Sequence, residues 1–160
     1  MLDPRALKNP FVFLATGLGS GFAPVAPGTV GSLLALPVWW FLIADLTLLQ
    51  QLLFVGAASV LAIWIVARVC RVAGVGDASQ IVLDEVVGQW LTLVAAPKSV
   101  AVVALGFLLF RLFDIAKPWP VSWADRQLRG ALGVVMDDLF AGVLACAVLH
   151  LSVRFIPWLM

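Results

Sequence analysis

Apolar residues run through this chain in long blocks, broken by short polar or Gly/Pro-rich stretches. The first clear block is Thr29–Ile43, and Thr29 is placed to cap a helix N-terminus. Asp45, Gln50 and Gln51 mark a polar turn, and a second block, Leu52–Val72, ends on Arg68 and Arg71. In the polar stretch that follows, Asp77 precedes Gln80 by three residues, a capping-box spacing that predicts a helix start there. Apolar character resumes over Ile81–Ala96, stops at Pro97-Lys98-Ser99 and returns over Val100–Phe113. The mixed-charge segment Lys117–Arg129 carries Trp119 and Trp123, residues that favour membrane interfaces, and Ser122 is spaced from Asp125 as a local helix cap. The last block is Leu132–Ile156.

Near the start, Arg5 and Lys8 precede Phe11–Leu18, an arrangement that loosely mimics a secretory leader. The Gly- and Pro-rich stretch after it does not open a soluble domain, so the segment reads as a retained interfacial or re-entrant piece. The basic end of the second block places it on the cytoplasmic side. Two crossings then put the N-terminus there too.

The middle of the chain allows two readings. Val86–Phe110 could form one long crossing, with Asp84 and Asp114 on opposite sides. Alternatively, Pro97-Lys98-Ser99 turns the chain and two legs of about 15 residues, each roughly 22 Å long, form a hairpin. The hairpin is preferred because Pro, Lys and Ser suit the bilayer centre poorly. Tilting, bilayer thinning or re-entry then accommodates the short legs. Arg154, left on the outer side, speaks against this topology.

Composition strengthens the membrane reading. Hydrophobic residues make up 63% of the 160 and charged residues 12%, with a mean hydropathy of +1.09. A soluble domain carries about 25% charge. The expected fold is all-α: one membrane-embedded domain over residues 1–160. It would be a polytopic helical bundle of about four to five membrane helices, with a re-entrant or tilted helical hairpin. A net charge of +1 gives no basic field for nucleic acid. Cys70 and Cys146 sit in apolar runs and read as buried small hydrophobes. His150 is the single histidine, which argues against His-based metal or nucleophile chemistry. Neither cysteine has an arginine six residues on, and no Gly-rich Walker loop is present.

Candidate chemistry lies with the acids. Asp77, Asp84, Glu85, Asp114, Asp137 and Asp138 all fall at or near the ends of apolar segments, where a carboxylate needs a partner, water or a metal. In the hairpin topology they gather at the cytoplasmic face and would repel one another without a cation. Mg²⁺ is the natural candidate, because it prefers oxygen ligands and retains waters for chemistry. Each acid also has a plainer reading. Asp77 could cap a helix, Asp84-Glu85 could complement a helix dipole, and Asp114 could pair with Arg111 three residues back. Asp137-Asp138 has no basic neighbour within a turn and is the hardest to explain structurally. Asp3, Asp45 and Asp125 read as surface charges. Arg111 and Lys117 are candidates to bind a phosphate, whereas Arg126 and Arg129 suit anionic lipid headgroups. The loop from Gly21 to Ser32 leads into a helix at Thr29, whose free N–H groups could receive a phosphate. An ordinary interfacial turn is the alternative.

Four stretches then resemble the phosphatidylglycerophosphatase A family, in that family's order. They are Ala26–Ser32; Asp77 with Val82–Gly88; Phe110–Pro120; and Gly133–Gly142. Ala131 stands where that pattern expects Gly. The resemblance implies a bacterial inner-membrane, multi-pass enzyme with its site at the cytoplasmic face. It would hydrolyse phosphatidylglycerophosphate to phosphatidylglycerol in phospholipid synthesis, using Mg²⁺. On that reading Asp77, Asp84, Glu85, Asp137 and Asp138 hold metal, and Asp84, Asp114 and Asp138 carry the catalysis. Thr29, Ser32, Arg111 and Lys117 bind the substrate. Attack by water and an aspartyl-phosphate intermediate both remain open. The rival readings are a cation transporter that uses the acids as an ion path and a non-catalytic scaffold or assembly subunit.

Overall fold

A computed structural model describes residues 2–74 and 78–156. Asp77, with its predicted capping box and metal role, lies outside the described residues. Among those residues the chain is helical, with seven α-helices and no strand.

A short 3-10 turn, Pro4–Lys8, leads to α1 (Pro10–Ala15), which lies against α3 (Leu48–Ala73). Helix α2 (Pro27–Val38) widens into a π-helical turn, Trp39–Ile43. It begins two residues before the predicted cap. Pro27 has its φ preset for a first helical position and no N–H to satisfy, so Ala26 is the N-cap and Thr29 lies within the first turn. Helix α3 also starts earlier than predicted. Thr47 caps it, with a reciprocal bond to Gln50, so Gln50 is a capping residue and not part of a turn.

The predicted helix start at residues 77–80 is not where the next helix begins. Residues 79 and 80 form a turn, and the Gln80 side chain accepts from the Leu2 amide. Helix α4 (Leu83–Thr92) starts after Val82, whose amide donates to the Ala15 carbonyl. The chain then breaks over residues 93–99 and reverses into α5 (Val100–Ala116). Val86–Phe110 is therefore not one helix, and the hairpin is the observed form. A short helix, α6 (Val121–Gln127), occupies part of the segment read as a surface loop, and Pro120, not Ser122, caps it. Helix α7 (Gly130–Phe155) closes the bundle and is the element on which α3, α4, α5 and α6 all pack.

Helices α3 and α7 have 26 residues each and are long and apolar enough to cross a membrane. At 1.5 Å per residue they reach about 39 Å, beyond the roughly 30 Å of hydrocarbon. The outside of the bundle is apolar: Phe41, Leu53, Leu108 and Ile115 are all exposed. A membrane-associated α-helical protein fits both facts.

The α4–α7 crossing sets the position of everything polar. A Cβ on Gly88 would lie 2.8 Å from the Asp138 carbonyl oxygen, and one on Gly142 would lie 2.6 Å from the Gly88 carbonyl oxygen. Only two glycines let these backbones touch, the close small-residue approach typical of helices packed in membranes. Gly88 follows Asp84 by one turn and Gly142 follows Asp138 by one turn, so the crossing draws the two acids together.

Candidate active site

A cavity of about 300 Å³ opens where the α2 N-terminus, the start of α4, the end of α5 and the first turns of α7 meet. Asp84, Glu85, Arg111, Asp114, Lys117, Asp137 and Asp138 line it, beside Ala26, Pro27, Gly28 and Ser79. Asp84 and Asp114 thus sit at the same end of the bundle, as the hairpin requires.

Asp84, Glu85 and Asp138 each offer an oxygen, and these atoms lie within 4.8 Å of one another. Asp84 is 7% exposed and Asp138 3%. Asp84 Oδ1 and Glu85 Oε2 are buried without a hydrogen-bond partner. Buried carboxylate oxygens left unpaired are costly. Oxygen-only donors converging in this way fit a hard divalent cation such as Mg²⁺.

The surrounding charges are ordered. Arg111 Nη1 lies 2.8 Å from Asp114 Oδ2, so the structural pairing foreseen for these residues exists. Arg111 also reaches Ser32 Oγ at 3.4 Å, while its Nε is buried and unpartnered. Asp114 comes up beside Asp138 across the cavity. Lys117 Nζ lies 2.8 Å from Asp137 Oδ2 and also pairs with Asp125. Burial works to lower the Lys117 pKa, but its hydrogen bonds with Asp125 and Asp137 outweigh that and hold it above the ordinary lysine value. Asp125 is therefore not a free surface charge. Asp45 is not free either, since it pairs with Lys98 at 2.6 Å.

Asp137 lines the cavity but stands apart from the three-carboxylate group. Lys117 takes one of its oxygens and the Asp138 amide the other, at 3.1 Å. Ser32 is buried, donates to the Gly28 carbonyl at 2.8 Å, and touches the site only through Arg111. Thr29 is not among the lining residues.

The sequence reading took Gly28 only as part of the Gly21–Ser32 loop and gave it no role of its own. A Cβ there would meet Glu85 Oε1 at 2.1 Å and Arg111 Nη1 at 3.3 Å, so the glycine lets two charged groups approach the α2 backbone. Ala26 and Lys117, both at the cavity, adopt left-handed backbone with φ of 47° and 44°. Such conformations cost non-glycine residues roughly 1–2 kcal/mol and gather at functional sites. The Pro27-Gly28 pair inside an otherwise apolar helix start was the available signal.

Comparison with known proteins bears on the same stretches. The model of the phosphatidylglycerophosphatase A family matches residues 13–153. Phosphatidylglycerophosphatase A of Escherichia coli is 39% identical over 145 residues, covering 90% of this chain and 84% of the relative. The Haemophilus influenzae protein of the same name is 36% identical over 148 residues, covering 92% and 91%. A Bacteroides thetaiotaomicron protein with the provisional name phosphatidylinositol-3-phosphatase is 41% identical over 140 residues, covering 82% and 86%. No solved structure matches.

Proposed function

The chain belongs to the phosphatidylglycerophosphatase A family and is a phosphoric monoester hydrolase, and from that premise we propose that it removes the terminal phosphate of phosphatidylglycerophosphate to yield phosphatidylglycerol. One observation carries the placement of the reaction: three carboxylates, two buried and one half-buried, two of them with unpartnered oxygens, converge beside an arginine and a lysine.

In this reading Asp84, Glu85 and Asp138 hold Mg²⁺. The ion, when bound, neutralises phosphoryl charge and lowers the pKa of a coordinated water. Arg111, steered by its pair with Asp114, offers its unpartnered Nε to a phosphoryl oxygen. Lys117 has three N–H donors and uses two on Asp125 and Asp137, leaving the third for the phosphate. Water attacks phosphorus in line and the P–O bond to the glycerol breaks. Asp114 accepts the proton of the attacking water, and the leaving alkoxide takes up a proton from solvent. Asp137 holds Lys117 in place and does not contact the ion.

The topology follows from the same arrangement. Helices α3 and α7 cross fully, α5 and the α2 segment are shorter spans accommodated by local thinning of the bilayer, and α4 is a half-depth leg that ends inside the protein. This makes a multi-pass protein of the bacterial inner membrane. Arg5, Lys8, Arg68, Arg71, Arg111, Lys117, Arg126 and Arg129 all fall at the site end, against Lys98 and Arg154 at the other. That bias points the site to the cytoplasm.

The test is phosphate release by purified protein from a panel of lipid phosphates, with and without Mg²⁺. Phosphatidylglycerophosphate should turn over only with the ion, and EDTA should abolish release. The name of the Bacteroides relative makes a phosphatidylinositol 3-phosphate arm necessary. Full activity after exhaustive chelation would remove the metal, and cation flux in liposomes without phosphate release would replace the enzyme with a transporter.

A further inference from the structure

A second cavity, about 370 Å³ and almost wholly apolar, lies between α1, α3 and α4 on the other side of α4 from the acids. We propose that it is the seat of one acyl chain of the lipid whose headgroup occupies the acidic site; this rests on the phosphatase reading above.

The argument starts from α4. Leu83, Val87 and Trp90 lie on one stripe of the helix and line the groove, whereas Asp84 and Glu85 on the same first turn line the acidic cavity. The two sites therefore share a level and are separated only by the α4 N-terminus. Ser79 and Ile81, which lead into that N-terminus, also line the acidic cavity, so a headgroup passing over this edge reaches the carboxylates.

Depth fits as well. On α4 the lining begins at Leu83, and along α3 it runs from Ile65 to Phe54. That stretch rises about 16 Å, close to the roughly 15 Å depth of one leaflet of hydrocarbon. At the far end Phe54 packs against Trp90 with ring centroids 5.4 Å apart, and Trp90 is fixed by its Nε1 donating to the Ala35 carbonyl at 3.0 Å. The pair walls the far end of the groove. Small residues, Ala57, Ala58 and Ala62, leave the floor open between these ends. An acyl chain anchored by its headgroup at Asp84 has both the direction and the length of this space.

Two measurements test it. First, phosphatidylglycerophosphate carrying a diazirine in one acyl chain is photolysed with wild-type protein in nanodiscs. Label should appear on peptides containing Ala58 and Trp90 and be displaced by excess unlabelled phosphatidylglycerophosphate, but not by phosphatidylcholine. Label on the outer α5 face at Leu108 and Leu112, or label that phosphatidylcholine displaces equally well, overturns the proposal. Second, Ala58→Phe fills the floor. The preference in kcat/KM for diacyl over deacylated substrate should fall about tenfold, what losing two buried methylenes is worth. An unchanged preference overturns the proposal. If Ala58→Phe is inactive on both substrates, the wild-type labelling decides. Displaceable label at Ala58 with no phosphate release from any lipid would leave the groove standing and remove the phosphatase reading alone.

Discussion

The two ends of the bundle handle buried polarity in opposite ways. At the turn between α4 and α5, side chains and turn bonds together answer much of the broken backbone. Gln51 Oε1 accepts from the Ala95 amide at 2.8 Å, and Gln51 Nε2 donates to the Leu46 carbonyl at 2.9 Å. His150 Nε2 lies 2.9 Å from the Val94 carbonyl oxygen. Non-helical backbone at membrane depth survives only when protein groups satisfy it in this way. At the other end, Asp84 Oδ1, Glu85 Oε2 and Arg111 Nε are buried and unanswered. Trp39 Nε1, in the core beside the α4–α5 turn, is unpartnered too, so the contrast is one of charged groups: those left buried and unanswered among the described residues all lie at the site end. Gln89, one turn below Glu85 on α4, is fully buried with neither amide atom partnered, although it does not line the acidic cavity.

The sharpest way to break this contrast is to neutralise a site acid. Asp138→Asn should lower phosphate release by about a thousandfold, the loss of roughly 4 kcal/mol of transition-state stabilisation. The same change should leave thermal stability unchanged or raised, because it removes one of three crowded like charges. A variant that unfolds readily but, where folded, still turns over lipid would make the acids structural.

A subtler change acts through distance. Gly28→Ala puts a Cβ at 2.1 Å from Glu85 Oε1, and the flexible Glu85 side chain gives way before the backbone does. The fold should survive. Activity should fall on the order of a hundredfold, with the Mg²⁺ concentration for half-maximal rate shifted upward, since ligand placement matters at sub-ångström scale. Activity restored to wild-type level by excess Mg²⁺ would sharpen the effect to metal affinity; a lowered ceiling at saturation would place it in the geometry of attack.

Much of this was readable in the residues. The long blocks predicted α3 and α7 to within a few positions, because mainly apolar stretches long enough for 26-residue helices leave few alternatives. Pro97-Lys98-Ser99 predicted the reversal, since the bilayer centre tolerates those residues poorly. The convergence of Asp84 and Asp138 at one end followed from the hairpin topology. Its cause was also written in the chain as a matching pair, Asp84 with Gly88 and Asp138 with Gly142, each one turn apart, which periodicity of apolar residues alone does not expose. The caps were the weak point. Thr29 and Ser122 have the right chemistry, yet a neighbouring proline with its φ preset took the terminus in both helices. The Lys117–Asp125 and Lys98–Asp45 pairs were invisible because sequence separation of 8 and 53 residues says nothing of distance until the helices are packed.

The smallest effect should come from the satisfied end. Gln51→Leu keeps the volume and apolar character of a buried position but orphans the Ala95 amide and the Leu46 carbonyl. Leaving buried donors or acceptors unpaired costs about 1–3 kcal/mol. The α4–α5 turn should therefore exchange its amide protons faster and the melting temperature should drop by a few degrees, roughly what that energy predicts. Lipid phosphatase turnover at low temperature should stay at the wild-type level, because no atom of Gln51 lines the acidic cavity. If Gln51→Leu instead removed activity at full stability, the α4–α5 turn would belong to the reacting machinery, and the division between an answered end and a waiting end would not hold.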